Sequence, residues 1–337
     1  MSQPNAMFNA RILGTGSYLP EKIVTNADLE EVMDTSDAWI RQRTGIRERR
    51  FVEPAVGPTD LGLQAAHRAL QSAGLTPDQI DFIIFATLSP EYNFPGCGCL
   101  LQEKLGLATV GALDVRNQCT GFVYSLAIAD QFVRTGTYRH ILVVGAEVHS
   151  SGLEMNTHGR DVAVIFGDGA GAVVVGRSGN GNRRILSSPL HAQGKYARKL
   201  WLEAPTSLEH PRLTEEMLRE GRHYPQMDGR YVFKHAVDRL QESVREALAE
   251  NRLEIEDVGL LILHQANLRI SESVVRSLKI PPERVFSNIQ RYGNTTAASI
   301  PIALDEAVRA GKVQPGDVVV LAAFGSGFTW GATILRW

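Results

Sequence analysis

Ala129-Asp-Gln-Phe-Val-Arg-Thr-Gly136 and Leu304-Asp-Glu-Ala-Val-Arg-Ala-Gly311 are two versions of one segment, 175 residues apart. Asp130 aligns with Asp305, Val133 with Val308, Arg134 with Arg309 and Gly136 with Gly311. After a short slip, each is followed by an apolar run, Ile141-Leu-Val-Val-Gly145 and Val318-Val-Val-Leu-Ala322. Repetition of this kind predicts a duplicated unit. The same offset carries Asn294 back to Cys119 and His264 back to Ser89. Ser89 follows the run Phe82-Ile-Ile-Phe-Ala86, and His264 follows Val258-Gly-Leu-Leu-Ile-Leu263. Each half thus reads as a strand, a polar residue near its end, and a second polar residue 30 positions on that opens a helix. Short continuous apolar strands between helices predict a buried, largely parallel sheet covered on both faces. The expected fold is α/β, built from pseudo-symmetric halves at 10–180 and 181–337. Corresponding strand ends then meet, gathering Cys119, His264 and Asn294 into one site.

Cys119 lies in Asp114-Val-Arg-Asn-Gln-Cys-Thr-Gly-Phe122, between a short strand (Val110-Gly-Ala-Leu-Asp-Val115) and a helix. The helix is predicted from Phe122, Leu126, Ala129 and Val133, whose spacing fits one helical face, and Gly136 stops it. A thiol at a helix N-terminus has unpaired N–H groups and the positive end of the dipole beside it. Both favour the thiolate, so Cys119 reads as a nucleophile rather than the buried small hydrophobe that cysteine more often is.

At 337 residues, 44% hydrophobic and 21% charged, the chain has the make-up of a soluble globular protein with room for two core-forming units. A net charge of −2 gives no reason to expect nucleic acid as the main partner. The N-terminus, Met-Ser-Gln-Pro-Asn-Ala-Met-Phe-Asn, lacks the basic and apolar regions of a signal peptide, and no apolar run is long enough to insert in a membrane. Three cysteines, Cys97, Cys99 and Cys119, fit reduced thiols in a cytoplasmic protein. Cys97-Gly-Cys99 lacks a second ligand pair nearby and reads as packing, so no metal is expected. Gly169-Ala-Gly171 leads into a β-branched strand instead of a helix, so it is not a dinucleotide-binding loop.

Several separate motifs now point the same way. The chain resembles the β-ketoacyl-acyl-carrier-protein synthase III family, condensing enzymes of the thiolase superfamily, from about Ala10 to Trp337. The resemblance is carried by Gly14-Thr-Gly-Ser-Tyr-Leu-Pro20, Asp34-Thr-Ser-Asp-Ala-Trp-Ile40, Arg43-Thr-Gly-Ile-Arg47, Cys119-Thr-Gly-Phe122 and Phe166-Gly-Asp-Gly-Ala-Gly171. His264-Gln-Ala-Asn-Leu-Arg269, Gly293-Asn-Thr-Thr-Ala-Ala-Ser299 and Phe324-Gly-Ser-Gly-Phe-Thr-Trp-Gly331 complete it.

The resemblance implies a thiolase-like αβαβα five-layer fold, a homodimer, and decarboxylative condensation of an acyl-CoA with malonyl-acyl carrier protein. It implies Cys119 as the acyl-carrying nucleophile, and His264 and Asn294 as donors to the thioester oxygen. The backbone N–H groups of Cys119 and Ser326 would form an oxyanion hole. Thr35, Trp39, Arg43, Arg160, Asn267 and Arg269 would line the path of coenzyme A and the carrier arm. Phe94 and Phe324 would shape the acyl pocket, Phe94 from the neighbouring subunit. No cofactor is implied, since the coenzyme A thioester is a substrate.

The chain departs from the family pattern at Arg116, Asn117 and Gln118, where small residues are usual, and at Ser326, which stands in a glycine run. The stretch 201–228 is longer and more charged than expected, and reads as a partly helical surface cap near the tunnel. These differences bear on the acyl substrate far more than on the reaction type. A second reading keeps Cys119 acylation but takes the acyl group, by transfer or by condensation without decarboxylation, to another thioester, hydroxyl or amine acceptor in secondary metabolism, whereas the retained Cys119, His264 and Asn294 favour decarboxylation. A non-catalytic subunit would be expected to lose Cys119 or His264, and both are present. A cysteine hydrolase lacks support from any local motif.

Overall fold

A computed structural model describes residues 8–179 and 182–337. The expected division between the halves falls at 180–181, outside the described residues, as does most of the N-terminal stretch weighed as a leader. The first sheet holds Ala10–Tyr18 (β1), Phe82–Ala86 (β2), Gly111–Val115 (β3), His140–Glu147 (β4) and Gly169–Arg177 (β5), in the order β1-β5-β4-β2-β3. The second holds Arg184–Ser187 (β6), Val258–Leu263 (β7), Val318–Gly325 (β8) and Thr329–Arg336 (β9), in the order β7-β8-β9-β6, with the short strand Leu190–Ala192 also pairing along β9.

The two sheets match strand for strand. β1–β5 and β5–β4 are antiparallel, whereas β4–β2 and β2–β3 are parallel. In the second sheet β6–β9 and β9–β8 are antiparallel and β8–β7 is parallel. The counterpart of β3 is reduced to a single parallel bridge between Leu261 and Val285. Each sheet is therefore mixed, not largely parallel. Apolar runs report burial on both faces, but strand direction depends on a return by hairpin or crossover, which burial does not record.

Burial on both faces is what the apolar strands demand. In the first sheet Ile84, Ile141, Val143, Val173 and Val175 face inward, and their neighbours Ile83, Phe85, Leu142, Val144 and Val174 face outward. The six main helices are, in chain order, Pro58–Ala73 (α1), Cys97–Lys104 (α2), Gly121–Arg134 (α3), Gly229–Glu250 (α4), Leu268–Leu278 (α5) and Ser299–Arg309 (α6). The predicted stripe on α3 (Phe122, Leu126, Ala129, Val133) packs between the sheets with Ile300, Ala303, Leu304 and Ala307 of α6. Helices α1 and α2 cover the outside of the first sheet, and α4 and α5 the outside of the second. This is the expected five-layered αβαβα fold.

The residues that betrayed the repeat have structural reasons to recur. Asp130 pairs with Arg134 at 3.5 Å and Asp305 with Arg309 at 3.0 Å, one turn apart on their helices. Gly136 and Gly311 end those helices at φ +76° and +66°, a left-handed conformation that glycine adopts without Cβ strain. The N-terminal ends do not keep the same register. The turn Gln118–Thr120 precedes α3 as Thr296–Ala298 precedes α6, with Gln118 and Thr296 both left-handed at φ +45° and +46°. Element by element, Cys119 therefore matches Ala297, not Asn294, because α6 is 11 residues long and α3 is 14.

Candidate active site

Cys119 sits in the 3-10 turn Gln118–Thr120, immediately before α3, and is buried. Opposite it stands Gly325, the last residue of β8. A Cβ built on Gly325 would lie 2.6 Å from Cys119 Cβ and 3.0 Å from Sγ, so two backbones meet here at the closest approach they can make. The expectation of a favoured thiolate is not met. Burial pushes the Cys119 thiol up to about 12, and the Glu147 carboxylate adds to the effect. The backbone N–H groups of Ser326 and Cys119 act the other way, and both therefore face the sulfur. Desolvation outweighs the helix terminus, and at neutral pH the resting nucleophile is a thiol. Below its pKa the thiolate fraction rises about tenfold per pH unit. Iodoacetamide alkylation of Cys119 is thus expected to keep climbing between about pH 7 and 9. A plateau near the ordinary thiol value would contradict this assignment.

His264 follows β7, its N–H bonded to the Ala322 carbonyl at 2.8 Å. Its Nδ1 is 2.6 Å from Ser299 Oγ, which also accepts the Gln265 N–H at 3.3 Å. The serine has one hydrogen to donate, and Nδ1 is the acceptor it meets. We assign the hydroxyl as the donor to Nδ1, which places the ring hydrogen on Nε2. Nε2 itself is buried and has no partner among the described residues. Burial drives the His264 pKa down to about 3, so the ring is neutral at physiological pH. His264 is therefore a neutral donor with one unspent N–H.

Asn294 is pinned through its backbone by Phe166 and its neighbours: Asn294 N–H donates to Ile165 O at 2.9 Å, and Asn294 O accepts from Gly167 N–H at 3.1 Å. Its Oδ1 accepts the Thr296 N–H at 2.8 Å. The oxygen therefore caps the following turn, while the amide nitrogen keeps its donors for something else.

Two cavities meet at Cys119. One, of about 800 Å³, is lined by Cys119, His264, Asn294, Trp39, Arg43, Arg160, Asn267, Arg269 and Phe324. Trp39 is flanked by two guanidinium groups, Arg43 at 4.2 Å and Arg160 at 5.1 Å from its ring centre. Asn267 caps α5 through its oxygen and donates to the Arg43 carbonyl at 3.0 Å. Thr35 lines neither cavity, and its hydroxyl is buried without a partner among the described residues.

The other cavity, of about 1070 Å³, is bordered by Cys119, Ser326, Leu88, Leu100, Leu153 and Trp201, with Arg116 and Gln118 beside the thiol. Phe324, expected at the acyl pocket, lies instead on the side of Trp39. Phe94 lines neither cavity and is 81% exposed. The stretch 201–228 contains the short helix Glu215–Arg219 and is closed at its base by pairing of Leu200–Trp201 with Gln226–Met227. Of the paired cysteines, Cys97 is buried and Cys99 exposed.

Other residues at the site had escaped notice in the sequence. Glu147, at the end of β4, accepts from the Ser89 hydroxyl (2.6 Å), the Thr87 hydroxyl (3.0 Å) and the N–H groups of Leu88 and Ser89. Burial raises its pKa to about 7 despite those bonds. Ser89, reached by the repeat offset, is thus a ligand of this carboxylate. Ser299 stood inside a quoted motif with no role attached, and His149 gave no sequence signal.

Comparisons with known proteins decide the family. Residues 113–194 match the model of 3-oxoacyl-[acyl-carrier-protein] synthase III, and residues 248–337 match the model of its C-terminal part. A beta-ketoacyl-[acyl-carrier-protein] synthase III of Caldanaerobacter subterraneus subsp. tengcongensis is 46% identical over 97% of this chain and 98% of its own. The chain belongs to the 3-oxoacyl-acyl-carrier-protein synthase III family. The crystal structure of the Aquifex aeolicus VF5 synthase III superposes with a TM-score of 0.89 at 44% identity, covering 97% of this chain and all of that one. The priming β-ketosynthase of the R1128 polyketide pathway gives a TM-score of 0.90 at 33% identity, covering 99% of this chain and 98% of its own. Of the two synthase III models, the first spans Cys119 and the second spans His264, Asn294 and Ser326. Among the described residues, no helix is long and apolar enough to cross a membrane, and no group of three His, Cys, Asp or Glu side chains could hold a metal.

Proposed function

We propose that this chain condenses an acyl-CoA primer with malonyl-acyl carrier protein in fatty acid or related biosynthesis, carrying the acyl group on Cys119. The observation that supports it most is the buried His264 Nε2, which has no partner among the described residues and lines one cavity with Asn294 and Cys119. Cys119 Sγ attacks the thioester carbonyl, the carbon–sulfur bond to coenzyme A breaks, and the thiol proton leaves on coenzyme A. Trp39 stacks on the adenine, Arg43 and Arg160 meet the phosphates, and Asn267 and Arg269 line the arm, with Thr35 nearby in the chain. The acyl chain occupies the cavity of about 1070 Å³.

Malonyl-carrier then loses CO2, and its electron pair passes to the thioester carbonyl as an enolate. His264 Nε2–H and the Asn294 amide donate to that oxygen. The enolate carbon attacks the acyl-Cys119 carbonyl, whose oxyanion is held by the N–H groups of Cys119 and Ser326. Collapse expels the Cys119 thiolate, which takes a proton from water. This is covalent catalysis in two half-reactions. Phe94, in its exposed position, closes the acyl cavity of a second copy in a cytoplasmic homodimer, and the two halves divide near 180–181.

Arg116 and Gln118, which border the same cavity as Cys119, favour an unusual acyl group over a change of reaction. The test is to mix the protein with acyl-CoAs from acetyl to dodecanoyl and follow its intact mass. An acyl adduct is expected on the wild type and none on Cys119→Ala. Absence of an adduct at every chain length would sink the proposal.

A further inference from the structure

We infer that His149 is a positioning residue for decarboxylation, acting on Asn294 through Thr296. The inference rests on the condensing function proposed above. His149 is buried, and its Nε2 lies 2.7 Å from Thr296 Oγ1. Thr296 is a β-branched residue held at φ +46°, a left-handed conformation that such residues adopt only when their surroundings compel it. That conformation aims the Thr296 N–H at Asn294 Oδ1, 2.8 Å away. Because the oxygen is taken, the amide nitrogen is the group turned toward the cavity.

His149 is well placed to hold the strained turn. Its own N–H donates to Asp168 Oδ1 at 2.7 Å, and Asp168 also takes the N–H groups of Ser150 (2.9 Å) and Val52 (2.8 Å). Its ring packs against Phe166 at 4.8 Å between centroids, and Phe166 bridges Asn294 through the backbone. Burial, with His264 nearby, holds the ring neutral, so it meets Thr296 by hydrogen bonding and not by charge. The order is therefore Asp168, His149, Thr296, Asn294. It ends on the donor needed for the enolate, whereas loading of Cys119 relies on the N–H groups of Cys119 and Ser326. His149 and Thr296 also border the cavity of about 1070 Å³, so the strut is reported by the loss of discharge in excess of any loss of loading.

The experiment compares single-turnover rates of acyl-CoA loading and malonyl-carrier discharge for wild type, His149→Leu, Thr296→Val and Thr296→Ser. In His149→Leu and Thr296→Val, discharge is expected to fall about 10- to 100-fold further than loading, in line with loss of aim on one oxyanion donor. Their double variant is expected to be no worse than either alone, because both cut one connection. Thr296→Ser, which keeps the hydroxyl, recovers much of what Thr296→Val loses. If His149→Leu does not fold, the valine and serine variants at 296 carry the comparison. Equal slowing of loading and discharge with a lowered Tm, or unchanged discharge, would overturn the inference while leaving the condensing function intact. A wild type that never loads would instead remove the function on which it rests.

Discussion

His264→Ala is expected to take an acyl group from acyl-CoA and then stall. The imidazole is neutral, its Nδ1 meets the Ser299 hydroxyl, and its Nε2 has no partner among the described residues. A preorganised donor of this kind is aligned before charge develops, and its burial raises its electrostatic value. Removing one oxyanion donor costs about 10²–10³ in rate in comparable sites. Malonyl-carrier discharge of acyl-Cys119 should fall by that factor, with loading much less affected. Stopped reactions read by intact mass measure both steps on one sample. Loading that falls as far as discharge would mean that His264 activates the thiol instead.

The second large effect is expected from a single methyl group. Gly325→Ala places a carbon 2.6 Å from Cys119 Cβ, nearer than two such atoms approach, so the strand end or the nucleophile turn must move. Neither can move freely: β8 is paired on both sides as far as Ala322 and with Thr329 at Gly325 itself, and Gln118 next to the thiol is already left-handed. The Ser326 N–H that faces the sulfur follows directly in the chain, so a shift also disturbs the oxyanion hole. Misplacement by about 1 Å can cost about 100-fold in rate. Loading of Gly325→Ala should fall by at least that much, with a destabilisation of about 1–3 kcal/mol from overpacking. Loading at the wild-type rate would show that this contact does not hold the nucleophile in place.

Much of this was legible in the chain for physical reasons. Asp130, Arg134 and Gly136 recur as Asp305, Arg309 and Gly311 because a helix pair and a left-handed stop are needed in both halves. The apolar runs disclosed two doubly covered sheets, and the offset led to Ser89 and His264 near strand ends. What stayed hidden depends on contacts between distant segments. The antiparallel partners of β4 and β8 are invisible to a pattern of burial alone. The raised thiol pKa comes from enclosure by β8 and Glu147, which outweighs the helix terminus that the local sequence advertises. Asn294 matched Cys119 by arithmetic, yet α6 is shorter than α3 by three residues, about one turn, and the structural counterpart is Ala297. His149, Ser299 and Gly325 act through partners 147, 35 and 206 positions away, so no local motif announces them.

The central claim is that carbon–carbon bond formation at acyl-Cys119 is coupled to decarboxylation. The most direct measurement follows the loading experiment to its end: acyl-loaded protein, freed of coenzyme A, is mixed with carboxyl-labelled malonyl-carrier. One CO2 is expected for each acyl group lost, with the carrier gaining a β-ketoacyl mass. Acyl loss without CO2, or an acyl enzyme that malonyl-carrier leaves untouched while another acceptor discharges it, would contradict the account.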